Sequence, residues 1–434
     1  MFSALNTYKD KRFLSIFCFG ISSGFPWIMI GSVMSAWLAD EGLSRKTIGL
    51  FGIIFTAYSL NFLWSPLLDK LKPPFLGLRR GWIITMQGAI ALCCLVMSQL
   101  NAQNDLYFMA LFGFLIAVAS STQDIAIDGF RIDSIAENDK DGLSAASSVA
   151  TAGWWTGYGG LGAIPFFLAD LTSWSWANLY LVLAAMMLAL MVATILTREP
   201  TIDRESMLHA ITQSDDTGVL HWLKTTVITP FAEFFNRNGV KLAASFLLFI
   251  FLFKIGEAFL GRMSIVFYKE IGFSNSDIGT YSKLLNWWVT IIFSLVGGLV
   301  NIRYGIYRGL MIAGVAMAAS NLMFAVIAQT GPSTSLLAAA VIIDGFTAAW
   351  STVAMVSLIS LLCNRAFSAT QYALMASLSV AGRTSVASYS GILVDYLDGN
   401  WSLFFVITAL MVIPSLGFLF LIRENIKKVE YSNK

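Results

Sequence analysis

Charge is what this chain has least of: Asp, Glu, Lys and Arg make up 12% of its 434 residues. Soluble domains carry about 25% charged residues, so a surface that faces water all round is excluded. Histidine is scarcer, with only His209 and His221, both in one polar stretch. That argues against a histidine metal site or a histidine proton relay inside the apolar segments. The four cysteines, Cys18, Cys93, Cys94 and Cys363, fall in or at the ends of apolar segments and imply no disulfide framework. The Gly-x-x-x-x-Gly-Lys-Ser/Thr loop that cradles nucleotide phosphates is missing, so nothing suggests an ATP-driven pump. The net charge of +2 points to no partner. No nucleic acid, metal or cofactor is expected.

What is present is hydrophobicity: 57% of residues, with a mean hydropathy of +0.71. The chain therefore reads as an all-α integral membrane protein whose partner is the lipid bilayer. Cutting at charged or Gly/Pro-rich joints gives twelve segments of spanning length. They lie near 13–38, 46–68, 82–101, 106–132, 144–169, 175–197, 241–267, 277–301, 307–328, 334–361, 370–394 and 400–422. The first follows Lys9, Lys11 and Arg12 but is too long for a signal peptide and has no small-residue cleavage site after it. With the N-terminus inside, the outer loops hold only Arg45, Lys46 and Lys269 of the 28 basic residues. The positive-inside rule then places both termini in the cytoplasm.

The most informative stretch is Ser120–Asp133, which continues the apolar run 106–119 without a break. On a helix Asp124 and Asp128 share a face, with Arg131 one turn further on. Asp124 lies roughly 27 Å along a helix that starts at Leu106, within a bilayer core about 30 Å thick. Ionisable groups at such depth cost several kcal/mol unless they face a wet cavity or a partner, so they mark a transport path. The plainer alternative is a helix end that has left the membrane, and Asp133 is expected in water on that ground. Span 7 carries a second couple, Lys254 and Glu257, spaced three apart and about 20 Å along the helix. It is either a self-neutralising pair or a site where Lys254 receives a substrate carboxylate while Glu257 or Asp124 handles a proton. Lys283, Arg262 and Arg383 are the other basic residues within spans. Each could anchor an anion or snorkel outward from a span end. Trp27, Trp154, Trp155, Tyr158, Trp287, Trp288 and Trp350 sit inside spans, where indole faces suit sugar rings or packing.

The chain also repeats. Gly42, Leu43, Ser44, Ile48 and Gly49 follow span 1, and Gly272, Phe273, Ser274, Ile278 and Gly279 follow span 7, an offset of 230. The loop after span 2, with Asp69, Arg79 and Arg80, corresponds to the loop after span 8, with Asn301, Arg303 and Arg308; Asp69 meets Asn301 at an offset of 232, at which Gly113 and Phe114 also meet Gly345 and Phe346. The identical tetrapeptides at Ile127–Phe130 and Ile343–Phe346 stand 216 apart, out of register, and read as coincidence. The repeat predicts two pseudo-symmetric six-helix bundles. Their bounds are 1–197 and 238–434, joined by a polar linker 198–237 with a short surface helix around 219–235. This resembles the major facilitator architecture, whose substrate site lies between the halves near the midplane. In that superfamily the loop between spans 2 and 3 carries an Asp and basic residues that hold the inner gate shut against the end of span 4. The resemblance assigns this role to Asp69, Arg79 and Arg80, with Arg131 as the partner on span 4. For Arg79 and Arg80 the alternative is plain positive-inside topology.

Four blocks resemble the AmpG-type muropeptide permeases more closely. They are Phe62–Asp69 with Arg79, Arg80, Gly81 and Trp82; Ser121–Asp128; Lys254–Phe259; and Cys363–Gln371 with Gly382 and Arg383. The resemblance implies a proton-coupled importer of anhydromuropeptides (GlcNAc-anhydroMurNAc peptides) into the cytoplasm across the bacterial inner membrane, acting as a monomer. Asp124, Asp128 and Glu257 would handle protons. Gln123, Lys254, Lys283, Gln371, Arg383, Trp27, Trp154 and Trp287 would line the substrate path. A siderophore or acyl-coenzyme-A carrier of the same superfamily is the alternative. An intramembrane enzyme would need a catalytic constellation that these spans do not display.

Overall fold

In the computed structural model the described residues are 7–8, 10–43, 47, 51–136, 139–171, 174–201, 228–273, 277–387 and 389–431. They form helices joined by short turns. Twelve spans follow one another: α1 (12–40), α2 (51–70), α3 (Leu78–Met97), α4 (Leu106–Asp133), α5 (140–171) and α6 (Trp176–Leu196), then α7 (Val240–Ile271), α8 (278–304), α9 (Ile306–Thr330), α10 (Thr334–Leu362), α11 (368–396) and α12 (Trp401–Leu421). Nine of the described helices are long and apolar enough to cross a membrane. The other three, α2, α5 and α11, are interrupted by 3-10 or π turns or are rich in Gly, Ala and Ser. Of the linker expected at 198–237, residues 202–227 lie outside the described set, and its last part forms the surface helix Thr229–Asn238.

The repeat read from the sequence reappears as matched packing. Within the first half α1 packs on α5, α3 on α4 and on α6; within the second, α7 packs on α11, α9 on α10 and on α12. Across the halves the contacts are again twofold partners, α5 with α8 and α11 with α2, then α5 with α10 and α11 with α4. An even number of antiparallel spans brings the start of α1 and the end of α12 to one end of the molecule, here termed the basal end.

Two boundaries moved for physical reasons. Helix α3 starts at Leu78 rather than near 82, directly after Gly77 at φ 93°. Arg79 and Arg80 are therefore buried in its first turn instead of lying in a solvated loop. Span α7 is broken at Phe253–Lys254, so that Ile255–Ile271 begins as a new helix with Glu257 in its first turn.

Small residues let the backbones touch where α1 meets α5. A Cβ on Gly20 would lie 2.5 Å from the Ala150 carbonyl oxygen, and one on Gly24 would lie 2.1 Å from that of Trp154. Opposite them, a Cβ on Gly153 or Gly157 would lie 2.5 or 2.2 Å from the Phe17 or Ile21 carbonyl oxygen. Both helices thus carry glycines four apart, the small-xxx-small pattern of close membrane packing. In the second half a Cβ on Gly382 of α11 would lie 2.2 Å from the Phe251 carbonyl oxygen of α7. Gly24→Ala is expected to lower thermal stability in detergent by about 1–3 kcal/mol, the usual range for overpacking. Gly88→Ala, which meets nothing nearer than Met191 Cε at 3.9 Å, is the control. Equal melting temperatures for the two variants would contradict the close contact.

Candidate functional site

The basal end is sealed by one buried polar cluster. Asp69 stands in the last turn of α2, and Arg79 Nη2 donates to it at 2.6 Å. Arg79 Nε donates to Asp133 at 2.8 Å, and its remaining hydrogens go to the Leu68 carbonyl and Ser368 Oγ. The second half meets these carboxylates with hydrogen-bond donors. It supplies the N-terminus of α11: the Thr370 amide and hydroxyl donate to Asp69 at 2.8 and 2.7 Å, the Ala369 amide at 3.4 Å, and Ser368 Oγ donates to Asp133 at 2.7 Å. The residue before this helix, Phe367, offers no side-chain cap. Asp69 therefore caps α11 from the other half, where the helix dipole, equivalent to about +0.5 charge, favours an anion.

Three expectations are corrected at this end. Asp133 is not in water but is 7% exposed and is the α4 partner of Arg79. Arg131 instead pairs with Asp128 on its own helix at 2.9 Å, donates to Ser147 and to Ser360 of α10, and lies over the Tyr372 ring. Arg80 does not bridge the halves. It donates to the Thr194 and Ile195 carbonyls and so ties α3 to the end of α6, while Glu199 accepts from the Arg79 and Arg80 amides. A buried guanidinium needs several oxygens, and these carbonyls supply them.

Gln371 also sits in this layer rather than on the substrate path. Its Nε2 donates to the Pro230 carbonyl and Glu233, and its Oε1 accepts from the Asn364 amide. Further ties between the halves join Arg365 to the Ile135 carbonyl, and Tyr8, which also bonds Ser148 of its own half, to the Leu295 carbonyl.

Above the seal, Asp124 and Asp128 are the only half-buried residues between Ser120 and Asp133, all the others being buried. Asp124 accepts from Ser23 Oγ of α1 at 2.7 Å and lies in electrostatic reach of Tyr58 on α2. Among the described residues it has no ion-pair partner. Gln123, one residue earlier, points the other way. It is fully buried and donates to the Ser22 carbonyl, in the line that runs Thr194, Gln87, Ser22 inside the first bundle. It is a packing residue, not a wall of the path.

In the second half Lys254 pairs with Glu257 at 2.9 Å and donates to Thr352 Oγ1 at 2.7 Å and the Ala348 carbonyl. The self-neutralising geometry is thus the one present, while Arg383, exposed on α11, lies in electrostatic reach of Lys254. The side chain of Lys283 lies outside the described residues. Aromatics gather on the first half: Trp27 has Tyr58 at 4.4 Å, Phe55 at 5.0 Å and Trp154 at 6.0 Å, and Trp154 stacks on Tyr158 at 5.1 Å. Trp287 differs. Its indole presses on Gly159 and donates to the Trp155 carbonyl at 3.1 Å, so it fastens α8 to α5. Sequence reasoning missed Ser23, Ser368, Thr370 and Asp344. For Asp344 the signal was there, a carboxylate ten residues into an apolar span.

Replacing Asp69 by Asn keeps the shape of the cap and removes its charge, which leaves Arg79 short of one anion. The charge facing the α11 N-terminus is worth up to about 2 kcal/mol in a favourable partly buried geometry, and a loss of about 1.4 kcal/mol already raises the open population about tenfold. Cys363, half-buried beside the cluster, reports the opening. Its alkylation rate, followed by peptide mass spectrometry, should rise about tenfold in Asp69→Asn. An unchanged rate would mean that the cluster does not hold this end shut.

The sequence matches the model of the Major Facilitator Superfamily over residues 13–285. The transporter designated AmpG 4 of Rickettsia conorii is 34% identical over 96% of this chain and 98% of its own. The anhydromuropeptide permease of Escherichia coli K12 is 31% identical over 98% of this chain and 82% of its own. Among solved structures, the transporter FucP in its outward conformation superposes with a TM-score of 0.71 at 13% identity, covering 96% of this chain and 99% of that one. The proton:xylose symporter XylE gives 0.67 at 14% identity, covering 96% of each chain. The latter two likenesses bear on the fold, and the former on kinship. A duplicated six-helix membrane fold with a polar seal at one end, and relatives along nearly its whole length, place the chain in the Major Facilitator Superfamily, among the AmpG-type permeases.

Proposed function

We propose that this transporter imports anhydromuropeptides from periplasm to cytoplasm in symport with protons, with its basal end and both termini in the cytoplasm of a bacterial inner membrane. The observation that carries the substrate is the kinship along nearly the whole chain with an anhydromuropeptide permease. The proton reading rests on Asp124, a half-buried carboxylate inside a span with a single hydroxyl donor. Carboxylates so placed mark proton pathways by default. Lys254 and Arg383 are the cations a peptide carboxylate would meet, and the aromatics around Trp27 and Trp154 offer flat faces to its sugars.

Physical linkage connects the two roles. If a substrate carboxylate engages Lys254, the ammonium is shared and Glu257 loses part of its partner, which favours proton uptake nearby. Reciprocity then requires that protons favour substrate binding. Asp124→Asn should lower accumulation driven by a pH gradient while leaving exchange down a concentration gradient. Lys254→Met should instead weaken binding of the anionic substrate about tenfold or more, the scale of one lost charge-assisted hydrogen bond. Binding against pH in the purified wild type and both variants decides between them. A wild-type profile in Asp124→Asn would move the proton site elsewhere, to Asp128 or Glu257. Running the assay with an anhydromuropeptide, a siderophore and acetyl-coenzyme A tests the substrate. Tighter binding of either of the others would overturn it.

Orientation has its own test. Single cysteines placed at Ser214 and Ser432 should resist a membrane-impermeant thiol reagent in intact spheroplasts, and one at Gln103 should react. Labelling at Ser214 from outside would invert the topology.

A further inference from the structure

The second half holds a carboxylate that the scheme above does not use. Asp344 lies ten residues into α10, about 15 Å along it and so near the middle of the membrane. Its carboxylate accepts one hydrogen bond, from Ser320 Oγ of α9 at 3.0 Å, and has no other side-chain partner among the described residues. That hydroxyl accepts from Thr347 Oγ1, and the Met317 carbonyl at 2.9 Å competes with Asp344 for its one hydrogen. The charged and titratable groups in reach of Asp344 are Lys254, Glu257 and Tyr268, all from α7; Arg383 of α11 lies in reach of Lys254. On α8 the neighbouring turn carries Lys283, whose side chain is outside the described residues.

Two carboxylates thus compete for one ammonium, and the geometry is unequal. Lys254 has three N–H groups, and these are taken by Glu257, Thr352 Oγ1 and the Ala348 carbonyl. Glu257 also stands in the first turn of the helix Ile255–Ile271, where the dipole favours an anion. Asp344 has neither advantage, since it is in mid-helix and is served by a single neutral donor. Two carboxylates in a desolvated site beside one cation do not both ionise cheaply. Glu257 holds the ammonium, and Asp344 is the carboxyl left without a cation of its own among the described residues.

We propose that Asp344 is a second proton-carrying group of the transporter, in the C-terminal half, and that a substrate carboxylate binds at Lys254 only while Asp344 is protonated. This rests on the proton-coupled reading given above. The charge count explains the condition. Lys254, Arg383, Glu257 and protonated Asp344 sum to +1, and an arriving carboxylate brings the site to zero. Were Asp344 ionised, the same arrival would leave it at −1 away from water. The step itself is the breaking of the Asp344 O–H bond as substrate departs, with the proton passing to water. It needs no other reactant.

The test measures proton uptake on binding, by calorimetry of a GlcNAc-anhydroMurNAc peptide in buffers of different ionisation enthalpy, across the pH range. Wild type should take up protons as it binds. Asp344→Asn, fixed in the neutral form, should take up one proton fewer and keep its affinity at alkaline pH. Its accumulation in proteoliposomes should fall about tenfold per unit of imposed pH gradient, the factor carried by one coupled proton. A wild-type pH profile in Asp344→Asn overturns the inference alone. No proton uptake by the wild type overturns the proton-coupled reading and this inference with it. Ser320→Ala supplies an independent arm should the Asn variant not fold. Its lost hydroxyl had favoured the ionised carboxylate, so the pH at which affinity declines should move upward. An unmoved midpoint there also refutes the role of Asp344.

Discussion

Everything at the sealed end follows from burying one guanidinium. Arg79 is 1% exposed, and taking such a charge out of water costs several kcal/mol unless its donors are met. Its two carboxylates, Asp69 and Asp133, belong to the same half as Arg79 itself, which leaves that half one negative charge in excess. The other half answers with the N-terminus of α11 and two hydroxyls. Parting the halves leaves the pairs of Arg79 with Asp69 and Asp133 intact. It exchanges a helix cap for water, a much smaller penalty than stripping a buried salt bridge. A gate built in this way can be tight when closed and still open at thermal cost.

The repeat is exact in packing and broken in chemistry. At the position equivalent to Asp69 the second half has Asn301, whose oxygen accepts from Trp350 Nε1 within its own bundle. Where α2 carries an anion to the other half's helix, α8 carries a neutral amide that stays at home. The contact between α5 and α8 has Trp287 against Gly159, and Tyr8 linking Ser148 of α5 to the Leu295 carbonyl of α8, instead. One side of the twofold axis is thus an electrostatic latch and the other a packed hinge. Duplication supplies two like surfaces, and substitution gives them different stiffness.

Helix number, the repeat and the Asp69–Arg79 pairing were legible in the sequence because each depends on local pattern: apolar length, offset, and a loop motif. Partners across space were not. The acidic end of α4 reads as solvated, since nothing in 120–133 says that Arg79, 54 residues earlier, will lie over Asp133. Gln123 and Asp124 are neighbours in sequence, yet a helix turns successive residues about 100° apart. One faces the bundle interior and the other α1 and α2 at the interface. Gln371 looked like a polar residue in a span; its position three residues after the start of α11 put it under the surface helix, whose Glu233 claims its amide. Asp344 was set aside because its tetrapeptide fell out of register with the repeat. Register speaks to ancestry, whereas the cost of burying a carboxylate is paid wherever it stands.

Depth now separates the two acidic sites in a way that bears on how they communicate. Asp124 is about 27 Å along α4 and Asp344 about 15 Å along α10, both helices running toward the basal end. The two helices meet there through Arg131, which holds Asp128 one turn below Asp124 and also donates to Ser360 of α10. A change of charge at Asp124 acts on Asp128 over one helical turn, a distance at which like charges repel measurably. Weakening the hold of Asp128 on Arg131 frees a guanidinium whose remaining partners are Ser147 in its own half and Ser360 and the Tyr372 ring in the other. Arg131 would then shift its weight between the halves while the Asp69–Arg79–Asp133 cluster, one turn lower, keeps its own charges paired. On this arrangement the state of the α4 acids biases whether the halves stay together, without either acid touching the seal.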